Sequence, residues 1–146
     1  MTSAVLILNA GSSSIKFALY ETERLEVLCR GAIDGIGSTP RFTPKGTTAV
    51  RLTEAPALPQ PATHDNLTAW LLDMLRTRLP DVTITAAGHR VVHGGARFND
   101  PVRVDDAVMG ELGQLVSLAP LHEPHNLATI RAVTKAWGQL PQVACF

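Results

Sequence analysis

Three short segments carry residue types that could do chemistry. The first is Asn9-Ala-Gly-Ser-Ser-Ser-Ile-Lys16. Its small residues let backbone N–H groups approach an anion with no side chain between them. Three hydroxyls add donors, and Lys16 adds a positive charge just beyond. Asn9 offers an amide oxygen to a hard cation or to its water shell. Together these read as a phosphate-and-metal corner, and the competing reading is a polar hairpin turn. Neither GxxxxGK[ST] nor GxGxxG is present, so the segment is not a Walker loop or a dinucleotide fingerprint.

The second segment is Gly88-His-Arg-Val-Val-His-Gly-Gly95. On a strand, Arg90 and Val92 share one face, and His89, Val91 and His93 share the other. A lone Arg in an apolar strand is costly to bury unless an anion pairs with it. A guanidinium binds a carboxylate or phosphate through two parallel hydrogen bonds. An ion pair with one of the chain's own Asp or Glu residues would explain Arg90 equally well. His89 and His93 do not converge on a strand as they would on a helix, and H-E-x-x-H is absent, so no zinc site is expected.

The third segment is Leu118-Ala-Pro-Leu-His-Glu-Pro-His-Asn-Leu127. Pro120 and Pro124 stiffen the loop that presents His122. His125 and Asn126 fall at a helix start, where backbone N–H groups favour anions. The plainer reading has Asn126 or Glu123 capping that helix, with the histidines packing or facing solvent.

These segments need elements to hold them. The aliphatic run at 4–9 predicts a strand buried on both faces, and the run at 15–20 predicts a second strand joined to it as an antiparallel hairpin. A third strand is expected over 25–33, a loop over 34–44 and a further strand over 47–52. Asp65 caps a predicted helix over 66–79 that presents Leu67, Trp70, Leu71, Met74, Leu75 and Leu79 at helical spacing. A strand over 82–92, interrupted at Gly88 and His89, leads to a short one at 102–104. Asp105 or Asp106 caps a helix to about 118, another helix runs over 125–137, and a strand begins at 142. The last residues look like the start of a buried strand, an ending expected of a domain cut short. Early hairpin strands followed by helices and a closing strand predict a mixed α/β domain.

Composition excludes several classes. The chain has 146 residues, enough for one domain with its own core. Thirteen basic residues balance 13 acidic ones, which leaves no electrostatic footprint for duplex nucleic acid or anionic lipid. With 45% hydrophobic residues, intrinsic disorder is not expected. The two cysteines, Cys29 and Cys145, form no close pair, which excludes a disulfide framework or a four-Cys zinc site. No apolar run approaches the ~20 residues of a membrane span, and no signal-peptide core is present. A cytoplasmic location is the expectation.

Taken in order, LNAGSSSIK, then GHRVVHGG about 70 residues later, then LAPLHEPHNL resemble the N-terminal third of the acetate kinase family. The resemblance runs from residue 4 to residue 146. It implies a ribonuclease-H-like α/β core of the kind shared by acetate and sugar kinases, Hsp70 and actin. Residues 1–146 would form an incomplete N-terminal domain, with the C-terminal nucleotide-binding domain absent. By position, Asn9 matches a Mg²⁺-binding asparagine, and Ser12, Ser14 and Lys16 match residues near the nucleotide phosphates. Arg90 matches the arginine that binds the substrate carboxylate. Val92 and Leu121 match a small apolar pocket for the acyl methyl group, and His122 matches a histidine near the transferred phosphoryl group.

The reaction so implied is ATP + acetate ⇌ ADP + acetyl phosphate, with ATP and Mg²⁺ required and propionate or butyrate as neighbouring substrates. A homodimer is implied for the full-length protein. Two departures stand out. Glu123 replaces what is more often Asn, adding a negative charge that would raise the pKa of His122 or face solvent. The family's proposed catalytic acid/base, an Asp, directly follows the position of Phe146, so 146 residues alone are expected to be inactive. Two alternatives remain: a non-catalytic phosphate-binding or interaction module, and a hydroxyl-directed sugar kinase, against which GHRVVHGG argues.

Overall fold

Alternating burial along the first strand sets the architecture. In β1 (Thr2–Ala10), Ala4, Leu6, Leu8 and Ala10 are buried, whereas Ile7 between them is 39% exposed. The strand is therefore apolar on both faces but covered on one, contrary to its expected double burial. The computed structural model describes residues 1–46, 48–120 and 123–146.

β2 (Ile15–Glu21) returns antiparallel to β1, with Ala10 opposite Ile15 and Asn9 opposite Lys16. β3 (Val27–Asp34) pairs antiparallel with β2, and β4 (Arg41–Lys45) pairs antiparallel with β3. β4 lies in the stretch predicted as loop. Two Gly and two Pro over 34–44 suggested a loop, but β4 ends the sheet, where Pro44, without an N–H, is tolerated. The predicted strand over 47–52 is corrected too: Ala49–Leu52 is a 3-10 turn, which buries Ala49 and Leu52.

α1 (His64–Arg78) buries Leu67, Leu71, Leu72, Met74 and Leu75. Its cap is Thr63, not Asp65: the Thr63 hydroxyl accepts from the Asn66 N–H at 3.1 Å. α1 leads into β5 (Val82–Arg90), which runs parallel to β1 and continues unbroken through Gly88 and His89. β6 (Val102–Arg103) precedes α2 (Asp106–Gly113), where the Asp105 carboxylate accepts from the Val108 N–H at 2.8 Å. α2 is shorter than predicted, and a separate 3-10 turn occupies Val116–Leu118. α3 (Glu123–Ala136) leads to β7 (Gln142–Cys145), which is parallel to β5 and antiparallel to β6.

The sheet order is β4-β3-β2-β1-β5-β7-β6. An antiparallel meander, here of four strands (β1 to β4), followed by crossovers to parallel strands is the ribonuclease-H-like arrangement, as the resemblance implied. Buried residues fall into two clusters. The larger joins Leu6, Leu8, Phe17, Leu19 and Ile33 to the inner side of α1. The smaller joins Val91 and Ala144 to Val108 and Leu112 of α2 and to Leu127 and Ile130 of α3. Among the described residues, no helix is long and apolar enough to cross a membrane.

β1 has β2 on one side and β5 on the other, so strand order reverses there. Ligands of open α/β sheets bind outside the carboxyl ends of strands at such a reversal.

Candidate functional site

β1 and β5 end side by side, with Leu8 level with His89. One residue further, Asn9 and Arg90 face a cleft of about 270 Å³. Ser14, Lys16 and Val92 line it as well, together with Ala10, Gly11 and Asn126. Five residues singled out from three kinds of sequence argument thus share one cavity. Ser12 is exposed on the hairpin and is not part of its lining. Leu121 and His122 lie outside the described residues.

Local pattern explains the convergence. Asn9 and Lys16 are cross-strand partners, so their side chains project on the same face. Alternation puts Arg90 and Val92 on one side and His89 and Val91 on the other, as expected; the first pair is exposed and the second buried, whereas His93, expected with the second, is exposed. Arg90 sits exposed on the uncovered sheet face, so the burial cost that would have demanded a partner does not arise. The ion pairs among the described residues are Arg51–Asp81 and Arg97–Glu111, so Arg90 is not held by an internal carboxylate. An accessible, unpaired guanidinium beside Lys16 can bind an anion.

Sequence reasoning undervalued Asn126. It is 4% exposed and does more than a cap would. Its Oδ1 accepts from the Val92 N–H at 3.0 Å, and its Nδ2 donates to the Ala10 carbonyl at 2.7 Å. One side chain on α3 therefore ties the end of β1 to the residues just after β5. The available signal was a poor helix former placed early in a helix.

His89 faces the opposite way, into the molecule. Its Nε2 lies 2.7 Å from Gln142 Oε1, and Gln142 Nε2 donates to Thr134 Oγ1 at 2.8 Å. With the amide so oriented, Nε2 carries the imidazole proton. Burial pushes the pKa down to about 4, against a smaller opposing effect of the Gln142 contact. His93 is exposed, and its Nδ1 accepts from the Gly95 N–H at 2.7 Å. Among the described residues no group of His, Cys, Asp and Glu could hold a metal ion.

Glu123 does not face solvent, which corrects one expectation. It is fully buried in the first turn of α3, and neither carboxyl oxygen has a hydrogen-bond partner among the described residues. Burial pushes its pKa up to about 7, with the His93 backbone N–H pulling weakly the other way.

The two buried groups oppose each other in pH dependence. Below about 6.5 the unfolded chain protonates His89 while the folded chain refuses the proton down to about 4. Stability is lost as pH falls through that window, by roughly 3 kcal/mol in all. The folded Glu123 keeps its proton up to about 7, whereas an unfolded one releases it near 4.5, so its contribution is lost as pH rises through that range. Urea unfolding of Glu123→Gln at pH 5 and pH 7.5 should therefore show a steeper loss toward acid than the unaltered chain, and His89→Gln the reverse tilt.

A larger cavity of about 700 Å³ lies at the other end of β5, lined by Leu79, Val82, Trp137 and Leu140 among others. None of the candidate residues reaches it.

A sequence model of the Acetokinase family matches residues 4–146. The chain is 43% identical over 150 residues to an acetate kinase of Rhodopseudomonas palustris, covering 100% of this chain and 37% of that one. It is 41% identical to an acetate kinase of Nitrobacter hamburgensis, covering 98% and 36% respectively. Among solved structures, a propionate kinase from Francisella tularensis superimposes with a TM-score of 0.82 at 31% identity, covering 99% of this chain and 36% of that chain. Acetate kinase from Porphyromonas gingivalis gives 0.76 at 28% identity, covering 99% and 37%. The chain spans little more than a third of the length of these relatives. The match takes in the serine hairpin, the arginine strand and the proline-bounded start of α3 alike, and on that span the chain belongs to the Acetokinase family.

Proposed function

We propose that these 146 residues form the acid- and phosphate-binding wall of a small-carboxylate kinase, catalysing ATP + acetate ⇌ ADP + acetyl phosphate. The observation that carries the reading is the shared cleft, in which the free guanidinium of Arg90 stands with Lys16, Ser14 and Asn9.

In such a transfer a carboxylate oxygen attacks the γ-phosphorus in line, and the protein's work is to position the reactants and offset charge on the equatorial oxygens. Arg90 orients the attacking carboxylate. Val92, apolar and exposed at the cleft, takes the methyl end of the acid. Lys16 and the Ser14 hydroxyl face the phosphoryl oxygens, and the Ser12 backbone N–H adds a donor at the hairpin. Among the described residues the cleft lining contains no carboxylate, so it suits Mg²⁺ that arrives on the nucleotide phosphates rather than a free ion. Asn9 would offer that ion or its waters a neutral oxygen, and the ion, when bound, would offset phosphate charge. For Leu121 and His122, which lie outside the described residues, the roles in the acyl pocket and near the phosphoryl group rest on the family resemblance alone. The acid/base group and the adenosine site would come from outside these residues.

Propionate is the second reading, favoured by the fit to a propionate kinase structure. Both are tested by titrating the ¹⁵N-labelled chain with acetate, propionate and MgATP, alongside hydroxamate formation with hydroxylamine. Arg90-dependent shifts with a carboxylate, and no turnover by the 146 residues alone, are expected. Phosphate binding without carboxylate binding would favour a non-catalytic module. Robust turnover would refute the need for further residues.

A further inference from the structure

Two consecutive carbonyls of the serine hairpin are held by side chains from two different helices. Asn126 of α3 holds that of Ala10. His64, the first residue of α1, brings Nε2 to 2.6 Å from the Gly11 carbonyl oxygen. A carbonyl only accepts, so Nε2 carries the proton in this contact. The His64 ring lies almost parallel to that of His125 in the first turn of α3, with centroids 4.0 Å apart and planes 17° apart. Both rings are half-buried.

The Gly11–Ser12 peptide is the joint in this turn most able to rotate, because glycine tolerates both signs of φ. In a trans peptide the C=O and the following N–H point in opposite directions. Holding the Gly11 oxygen against α1 therefore aims the Ser12 N–H away from α1. The other contacts of the turn act in the same sense. The Gly11 N–H donates to the Ser14 carbonyl at 2.8 Å, and the Ser13 carbonyl accepts from the Ile36 N–H at 3.0 Å. The carbonyls of Ala10, Gly11, Ser13 and Ser14 are thus engaged by protein donors, whereas the N–H groups of Ser12, Ser13 and Ser14 meet no protein acceptor among the described residues. Free amides with tied-back carbonyls form a concavity suited to anionic oxygens.

We propose that His64, backed by the stacked ring of His125, is a positioning residue that locks the Gly11–Ser12 peptide so that the Ser12 amide faces a phosphoryl oxygen. The proposal rests on the phosphate reading of the hairpin. His64 itself touches neither nucleotide nor acid. It acts through a backbone carbonyl, so its role depends on a donor at the Nε2 position and not on imidazole chemistry.

The test uses the ¹⁵N-labelled chain titrated with sodium tripolyphosphate, with melting temperatures measured in parallel. The unaltered chain should bind and shift the Ser12 and Ser14 amides. His64→Leu, which keeps bulk without a donor, should weaken binding about tenfold and abolish the Ser12 shift. His64→Gln restores a donor at similar reach and should recover affinity to within about threefold. His125→Leu should fall between them. If His64→Leu does not fold, His64→Met takes its place. Equal binding and an equal Ser12 shift in the donorless variant would overturn the proposal alone, as would a His64→Gln chain no better than it. An unaltered chain indifferent to tripolyphosphate would overturn the phosphate reading, and this proposal with it.

Discussion

In an active kinase carrying these residues, Arg90→Ala is expected to raise the KM for the carboxylate by about 10- to 100-fold, with a smaller fall in kcat. A hydrogen bond to a charged group is worth about 1.5–3 kcal/mol, which sets that range. The expectation follows from what Arg90 lacks. It has no internal carboxylate partner among the described residues, so removing it frees no buried charge and should not disturb the fold. It stands on the uncovered face at the end of β5, where β1 and the hairpin bring Asn9 and Lys16 alongside. Arg90→Lys keeps the charge but loses the two-pronged geometry, and should recover only part of the loss. Steady-state kinetics with acid varied at saturating MgATP separates the cases. An unchanged KM would remove Arg90 from the acid site.

Asn126→Ala should be the most damaging single change for the cleft's framework. It strips partners from the Ala10 carbonyl and the Val92 N–H at once. A buried backbone group left unpaired costs about 1–3 kcal/mol; the Ala10 carbonyl is buried and the Val92 N–H only partly, so a total of about 2 kcal/mol is expected in urea unfolding. Asn126→Asp is an informative companion. It keeps an acceptor for Val92 but sets a second oxygen against the Ala10 carbonyl, and it should recover little at neutral pH. A loss below about 0.5 kcal/mol for the alanine variant would mean that water replaces both bonds.

What was legible in the chain follows from how local each signal is. The β1–β2 hairpin and α1 were readable because an unbroken aliphatic run and a helical repeat of Leu and Met state themselves over short windows. The shared side of Arg90 and Val92 followed from strand alternation alone. β4 was missed because two Gly and two Pro over 34–44 argue against a strand, and Pro44 is tolerated only because the strand lies at a sheet edge, a fact of topology. Burial was misjudged for the same reason. Whether Ile7 and Arg90 are covered depends on which sheet face the helices take, and both strands read alike either way. Asn126 and Glu123 mark the other limit. Their types suit a cap, and only the packing of α3 against the sheet shows that one bridges two backbones and the other carries a buried, unpartnered carboxyl.

The division of the interior into two clusters has a mechanical consequence. Asn9 and Lys16 stand on strands rooted in the larger cluster, whereas Val91, between Arg90 and Val92, belongs to the smaller one. Regions with fewer apolar contacts open at lower free energy than the main core. Beyond the last paired residues of β1 and β5, the two walls of the cleft are therefore backed by different clusters, and the amide of Asn126 is a strut across that seam.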